Sequence, residues 1–224
     1  MSTAITPDDF FAFGAEAGRR PQASSSPAQR PVLVFDTETT GISHRDVAIQ
    51  IASSDGQKEC MEYVKLPRGV YISHTAASVH GITNETLKRK AVDAEVALSR
   101  FFAACETVIG LKGLLVAHNV SFDRRLVEQT AAKHGVCLPA WWSDDSNFFC
   151  TMAASAPFSD LVTRGGRRKN FKNIELFTYF LDSRAAGDSS ELNKPPKGIQ
   201  LHDALYDVRV TLFNFREGER RGMW

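Results

Sequence analysis

Apolar residues fall into short runs over residues 32–37, 47–53 and 59–66, alternating or continuous, each bounded by polar or glycine-containing turns. Runs of this kind read as strands, and three in succession predict an antiparallel meander. The period then changes. Val96, Leu98, Phe101 and Phe102 form an apolar stripe at helical spacing over 94–106. Leu114-Leu115-Val116-Ala117 is a short buried strand, followed by a helix from Ser121 to about His134. Residues 147–150 read as a fifth strand, and helices are expected at 172–182 and 203–216. Strands followed by alternating helix and strand predict an α/β fold, a mixed five-stranded sheet with helices on both faces.

The ends of the pattern differ from its middle. Residues 19–31 read RRPQASSSPAQRP, a composition that cannot bury a core and predicts a flexible linker. Before it, residues 8–14 carry the aromatic island Phe10-Phe11-Ala12-Phe13. Two readings stand: a peptide that docks on a protein partner, or an end that packs its phenylalanines on the same domain. The expected organisation is a tail and linker over 1–31, one domain over 32–217 and a short C-terminal tail over 218–224. The stretch 182–198, rich in Ser, Pro, Gly and Lys, reads as a surface loop.

Composition narrows the class without naming a partner. The chain has 224 residues, enough for one well-filled α/β domain. With 27 basic and 26 acidic side chains, net charge favours neither nucleic acid nor any other partner. Cys60, Cys105, Cys137 and Cys150 lack zinc or redox spacing, which points to reduced thiols and an intracellular location. No run is long enough to span a bilayer, so no membrane partner is expected.

Candidate chemistry begins at Asp36-Thr37-Glu38-Thr39-Thr40-Gly41, directly after the apolar run Val32–Phe35. Two acids one residue apart on a strand share a face. Left together at the end of a core strand they repel, and one is driven to protonate unless a cation joins them. Oxygen ligands of this kind suit Mg²⁺ or Mn²⁺. Solvated acids at a strand end are the other reading. His118-Asn119-Val120-Ser121-Phe122-Asp123 follows the 114–117 strand, with Ser121 a natural N-cap and Asp123 in the first helical turn, where the helix dipole favours a carboxylate. His202-Asp203-Ala204-Leu205-Tyr206-Asp207 opens the last helix with Asp203 as N-cap. Asp207 then lies one turn inside, on a mostly apolar face with no Lys or Arg three or four residues away.

Each segment has a plain explanation alone. Together, in this order, they resemble the three motifs of the DEDDh family of 3′→5′ exonucleases, whose fold is ribonuclease H-like. The resemblance runs from about residue 32 to 215, and Val79-His80-Gly81-Ile82-Thr83 resembles a further loop of that family. It implies a two-metal phosphodiester hydrolase, with two Mg²⁺ (or Mn²⁺) ions held by Asp36, Glu38, Asp123 and Asp207. In that scheme Asp36 bridges the ions, Glu38 and Asp207 complete one site, and Asp123 supports the other. His202 would be the general base, swinging in on a loop when substrate binds.

Substrate contacts follow from the same resemblance. Thr37, Thr39 and Glu38 would meet a terminal 3′-OH, while His80 and Phe122 would meet the last nucleotides by hydrogen bonding and stacking. Core packing is the alternative for Phe122, and a turn role the alternative for His80. The basic stretch Arg164, Arg167, Arg168, Lys169 and Lys172 could track phosphates or simply be solvated. Trp141-Trp142 reads as a cap on a hydrophobic core. Cys150 stands in a Cys-Thr-Met segment where many members have Asp-Thr-Leu, and the interval from Asp123 to His202 is long. The implied partners are single-stranded 3′ ends of DNA or RNA, with the hexamer tilting towards DNA. A proofreading-type or RNA-processing module acting mainly by docking is the alternative. A ribonuclease H-fold endonuclease is disfavoured by His202.

Overall fold

The protein is described by a computed structural model covering residues 30–181 and 203–224. The aromatic island at 8–14, residues 1–29 of the tail and linker, the 182–198 loop and His202 lie outside the described residues. The five strands are β1 (Val32–Thr39), β2 (Ala48–Ser54), β3 (Glu59–Tyr63), β4 (Leu114–Ala117) and β5 (Phe148–Cys150). They form one mixed sheet in the order β3-β2-β1-β4-β5. β1, β2 and β3 pair antiparallel, whereas β4 joins β1, and β5 joins β4, in parallel. The expected α/β sheet and its meander are present.

Side-chain alternation decides what each face buries. Leu33 and Phe35 of β1, with Leu115 and Ala117 of β4, pack on the face covered by two long helices, Ala94–Gly110 and Val120–His134. Trp142 is 2% exposed in this layer and Trp141 packs beside it, so the pair caps the core as its sequence suggested. Val32, Val34, Leu114 and Val116 face the opposite layer, where Ala204, Val208 and Phe215 of the last helix cover them. Each of the valines, leucines and phenylalanines among them, taken from water, stabilises the fold by about 1.5–3 kcal/mol.

Among the described residues the α-helices, numbered along the chain, are α1 (His74–His80), α2 (Asn84–Lys90), α3 (Ala94–Gly110), α4 (Val120–His134), α5 (Thr151–Ser155), α6 (Asn173–Leu181) and α7 (Ala204–Arg220). The sequence reading missed α1 and α2, which are short and carry little apolar periodicity. Their capping signals were nonetheless present. Ser73 accepts from the Ala76 amide, Thr83 accepts from the Thr86 amide, and Gly81 ends α1 in the left-handed conformation.

Two boundaries differ from expectation. The last helix continues past 216 to Arg220, and Trp224 returns over it, donating its indole N–H to the Phe215 carbonyl. A side chain on Gly218 would run into the Trp224 ring, which is why the helix carries glycine there. Ser121 is not the N-cap of α4. Asn119 holds that position without a side-chain bond to the helix, and Ser121 turns back to donate to the Asn119 side chain.

Candidate active site

β1 continues past its apolar run, so alternation sends Asp36 and Glu38 to the α7 side and Thr37 to the α4 side. The register with β2 shifts between Glu38 and Thr39, ending regular pairing beside the acids. The turn that follows is tied tightly. Thr40 donates to Asp46 at 2.7 Å, and the Ser43 amide donates to the same carboxylate at 2.7 Å. Asp46 sits so close over Gly41 that a Cβ there would lie 2.8 Å from its carboxylate. Behind the strand end, the Ile82 amide donates to Nδ1 of His80 at 3.0 Å. Nε2 of His80 therefore carries the proton and donates to the Thr39 carbonyl at 3.1 Å.

Asp207 is one turn inside α7, as expected, with Asp203 capping the helix by accepting from the Leu205 and Tyr206 amides. One carboxylate oxygen each from Asp36, Glu38 and Asp207 lie within 4.8 Å of one another. Asp123 joins them from the other side of the strand. Its Oδ1 accepts from the Thr37 amide at 3.1 Å and from the Thr37 hydroxyl at 2.8 Å. Asp123 is therefore more than helix-start chemistry, because it spans α4 to β1.

The cluster is electrostatically uncomfortable. Burial, and then the charges of Asp123, Asp207, Glu38 and Asp203, hold the Asp36 carboxyl well above the usual range. Burial, followed by Asp207, Asp123 and Asp203, pushes Glu38 up to about 9. Asp123 is pushed up to about 7 by burial, against the lowering effect of its two bonds from Thr37. Every charged neighbour shifting Asp36 and Glu38 is itself an acid. A hard divalent cation fits this donor set, since oxygen ligands are its preferred partners and its charge relieves the repulsion. Asp36, Glu38 and Asp207 are the residues that could hold it, with Asp123 alongside.

The four acids line a cleft of about 650 Å³. His80 and Phe122 line it as well, and the Arg125 guanidinium lies over the Phe122 ring at 5.1 Å. Phe122 is thus a cleft-wall residue more than a core one. Both ring nitrogens of His80 have partners inside the protein, and Nε2 supports the Thr39 carbonyl at the cleft wall. Arg167 and Arg168 are not among the cleft-lining residues. Arg168 donates to the Ser159 carbonyl at 2.6 Å and the Pro157 carbonyl at 2.7 Å, fastening its own loop, while the Arg167 side chain is exposed. Lys169 pairs with buried Glu175 at 2.6 Å.

Three participants escaped the sequence reading. His118 lines the cleft with Nε2 against the Phe171 carbonyl at 2.9 Å and Nδ1 against the Thr151 hydroxyl at 3.0 Å. Burial drives its pKa down to about 4, so the ring is neutral near pH 7. Asn173 donates to Asp207, and Gln50, paired with Glu38 across the sheet, accepts from the Ala204 amide that opens α7. An asparagine or glutamine at such a place carries no spacing signal. Cys150, in the position where aspartate was expected, caps α5 through its sulfur by accepting from the Ala153 amide.

A ribonuclease H-like sheet with a carboxylate cluster at the end of its central strand defines the class: a nucleic-acid hydrolase centre. The chain belongs to the RNase_T exonuclease family, whose pattern matches residues 33–213. That membership brings divalent metal use with it. Among solved structures, E. coli exonuclease I bound to a dA16 oligonucleotide is 17% identical with a TM-score of 0.61, covering 86% of this chain and 41% of that one. A product-bound exonuclease I structure is likewise 17% identical, with a TM-score of 0.62, over 87% and 45% of the two chains. These similarities establish the fold, and this chain spans less than half the length of exonuclease I. No curated protein matches it significantly by sequence.

Proposed function

We propose that this exonuclease-family protein works in the 3′→5′ direction on single-stranded ends, releasing nucleoside monophosphates with two Mg²⁺ or Mn²⁺ ions and favouring DNA over RNA. The observation that carries the reading is the convergence of Asp36, Glu38 and Asp207 within 4.8 Å, in a cleft that Asp123 also lines. Bound ions of this kind would activate a water and neutralise charge on the attacked phosphate and the leaving oxygen. The chain's own residues supply the rest. Asp36, Glu38, Asp123 and Asp207 hold the ions, and the backbone from Thr37 to Thr39 with Glu38 receives the terminal 3′-OH. Phe122 offers a ring for stacking, and His202 takes the proton of the attacking water. Arg167 supports the phosphate backbone farther along the strand, while Arg168 keeps that loop in shape.

The preference for DNA draws on the Asp-Thr-Glu-Thr-Thr-Gly hexamer and on the deoxyoligonucleotides in the exonuclease I structures. The test is a time course on matched 3′- and 5′-labelled DNA and RNA oligomers with Mg²⁺ and with EDTA. A 3′ label should leave at once as a mononucleotide, a 5′-labelled strand should shorten stepwise, and EDTA should stop both. Early release of a 5′ mononucleotide, or cutting of a circular strand, contradicts the reading. His202→Ala should cripple turnover while metal binding persists, and near-normal rates at pH 7.5 would remove His202 from its role.

A further inference from the structure

We infer that Asn173, held by Asn214, is a positioning residue that sets how the Asp207 carboxylate is presented to the metal. The inference rests on the metal-binding role proposed above for Asp207. Asn173 is the first residue of α6 and lines the acid cleft. Its Nδ2 lies 3.1 Å from the main-chain oxygen of Asp207 and 3.4 Å from Asp207 Oδ1. An asparagine amide can point either way, and only the surrounding bonds decide which. Here they do. Asn214, one of the fully buried residues of α7, donates its Nδ2 to both the Asn173 carbonyl and Asn173 Oδ1, each at 2.9 Å.

With Oδ1 of Asn173 committed as an acceptor, its Nδ2 must face Asp207. The donor is thus fixed on both sides, by the helix carrying Asp207 and by the start of α6. One of these contacts reaches the Asp207 main chain and the other its carboxylate. The amide ties the Asp207 side chain to its own main chain, which opposes rotation of the carboxylate. The segment leading into α6 is itself anchored, because Phe171, two residues earlier, accepts through its carbonyl from Nε2 of His118 at the end of β4. A polar chain therefore runs from the β4 end, which also leads into α4 and Asp123, across to Asp207. Outer-shell partners of this type are commonly worth 10- to 100-fold in metal affinity.

The readout that separates positioning from simple stability is Mn²⁺ affinity, measured by calorimetric titration of the full chain without substrate, beside melting temperature. Asn173→Ala is expected to weaken Mn²⁺ binding about tenfold and to lower kcat with little change in KM for a single-stranded oligonucleotide. Asn173→Leu keeps the side-chain volume and the Asn214 bond to the main-chain carbonyl but removes the donor without adding charge, so it should weaken Mn²⁺ about as much as Asn173→Ala. Asn214→Ala should act in the same direction more weakly. The double variant Asn173→Ala/Asn214→Ala should bind no worse than Asn173→Ala, since Asn214 acts through Asn173. Mn²⁺ affinity within twofold of wild type in either Asn173 variant overturns the inference, as does full additivity in the double variant. Failure of the wild-type chain to bind Mn²⁺, or an unchanged affinity in Asp36→Asn, would instead remove the metal-site reading beneath it.

Discussion

Glu38 on β1 and Glu175 on α6 are both buried acids, 8% and 0% exposed, but they keep opposite company. Glu175 accepts from the Lys169 ammonium at 2.6 Å and from the Lys172 amide at 2.8 Å. Its charge is answered within the protein, and it fastens a loop to a helix. Glu38 sits among Asp36, Asp123, Asp203 and Asp207, and burial, followed by the charges of Asp207, Asp123 and Asp203, pushes its carboxyl up to about 9. An isolated buried charge is costly, and repelling charges more so, unless something outside the chain binds them. The contrast separates an acid that holds the fold together from acids that cost stability and make a site. It also gives Lys169, within the long interval between Asp123 and His202, a structural partner in Glu175.

The contrast breaks most readily at the cluster. Asp36→Asn is expected to cost several kcal/mol of transition-state stabilisation, about a thousandfold or more in rate, while the protein stays folded. Retention of even a tenth of wild-type activity in oligonucleotide digestion would end the parallel. At the other acid the pattern should invert. Lys169→Met leaves Glu175 buried without its cation and should cost about 3 kcal/mol, the low end for a buried pair because Lys169 is partly exposed. For a domain of this size that is a fall of about 6–12 °C in melting temperature. Mn²⁺ affinity should hold within twofold, and a large loss there would tie Glu175 to the site.

Metal-free stability should sharpen the difference through its pH dependence. Glu38, raised to about 9, and Asp123, raised to about 7, hold protons more tightly folded than unfolded. Their contribution is complete below the ordinary carboxylate range near pH 4 and is lost as pH rises through about 7 and about 9. With EDTA, the melting temperature should therefore fall from pH 5 to pH 9 more steeply in wild type than in Glu38→Gln. Added Mg²⁺ should restore wild type at the alkaline end. Parallel slopes for the two proteins would contradict the shift. The smallest effect is expected of Thr37→Val, which removes one charge-assisted bond to Asp123 and leaves the backbone one. A loss of about 1.5 kcal/mol, seen as a roughly tenfold drop in kcat, is expected. An unchanged rate would show that the amide alone positions Asp123.

Much of this was legible in residue order. The strands and long helices follow from period-two and helical spacing, and the acids announced themselves through Asp36-x-Glu38 and His202-x₄-Asp207. Helix α1 was missed although Ser73 and Gly81 bracket it, because a seven-residue helix without an apolar stripe gives little periodic signal. Ser121 suits a cap by residue type, but the N-cap position of α4 lies two residues earlier, where the Asn119 carbonyl accepts from the Phe122 and Asp123 amides. The two carbonyls that accept from Arg168 carry no signal in residue order, since they lie nine and eleven positions earlier in the chain.

Sequence by itself determined which residues are apolar, at what period they recur, and that four acids stand at the ends or starts of elements. Those are local properties, fixed by spacing along one strand or one helix. Only the tertiary structure decided that three of the acids share a 4.8 Å neighbourhood, that Asp123 reaches them through Thr37, and that Asn173 faces Asp207. Such relations join residues from 34 to 171 positions apart in the chain, Asn173 to Asp207 and Asp36 to Asp207. They come into being when opposite faces of a sheet receive their helices, and no period in the sequence encodes them.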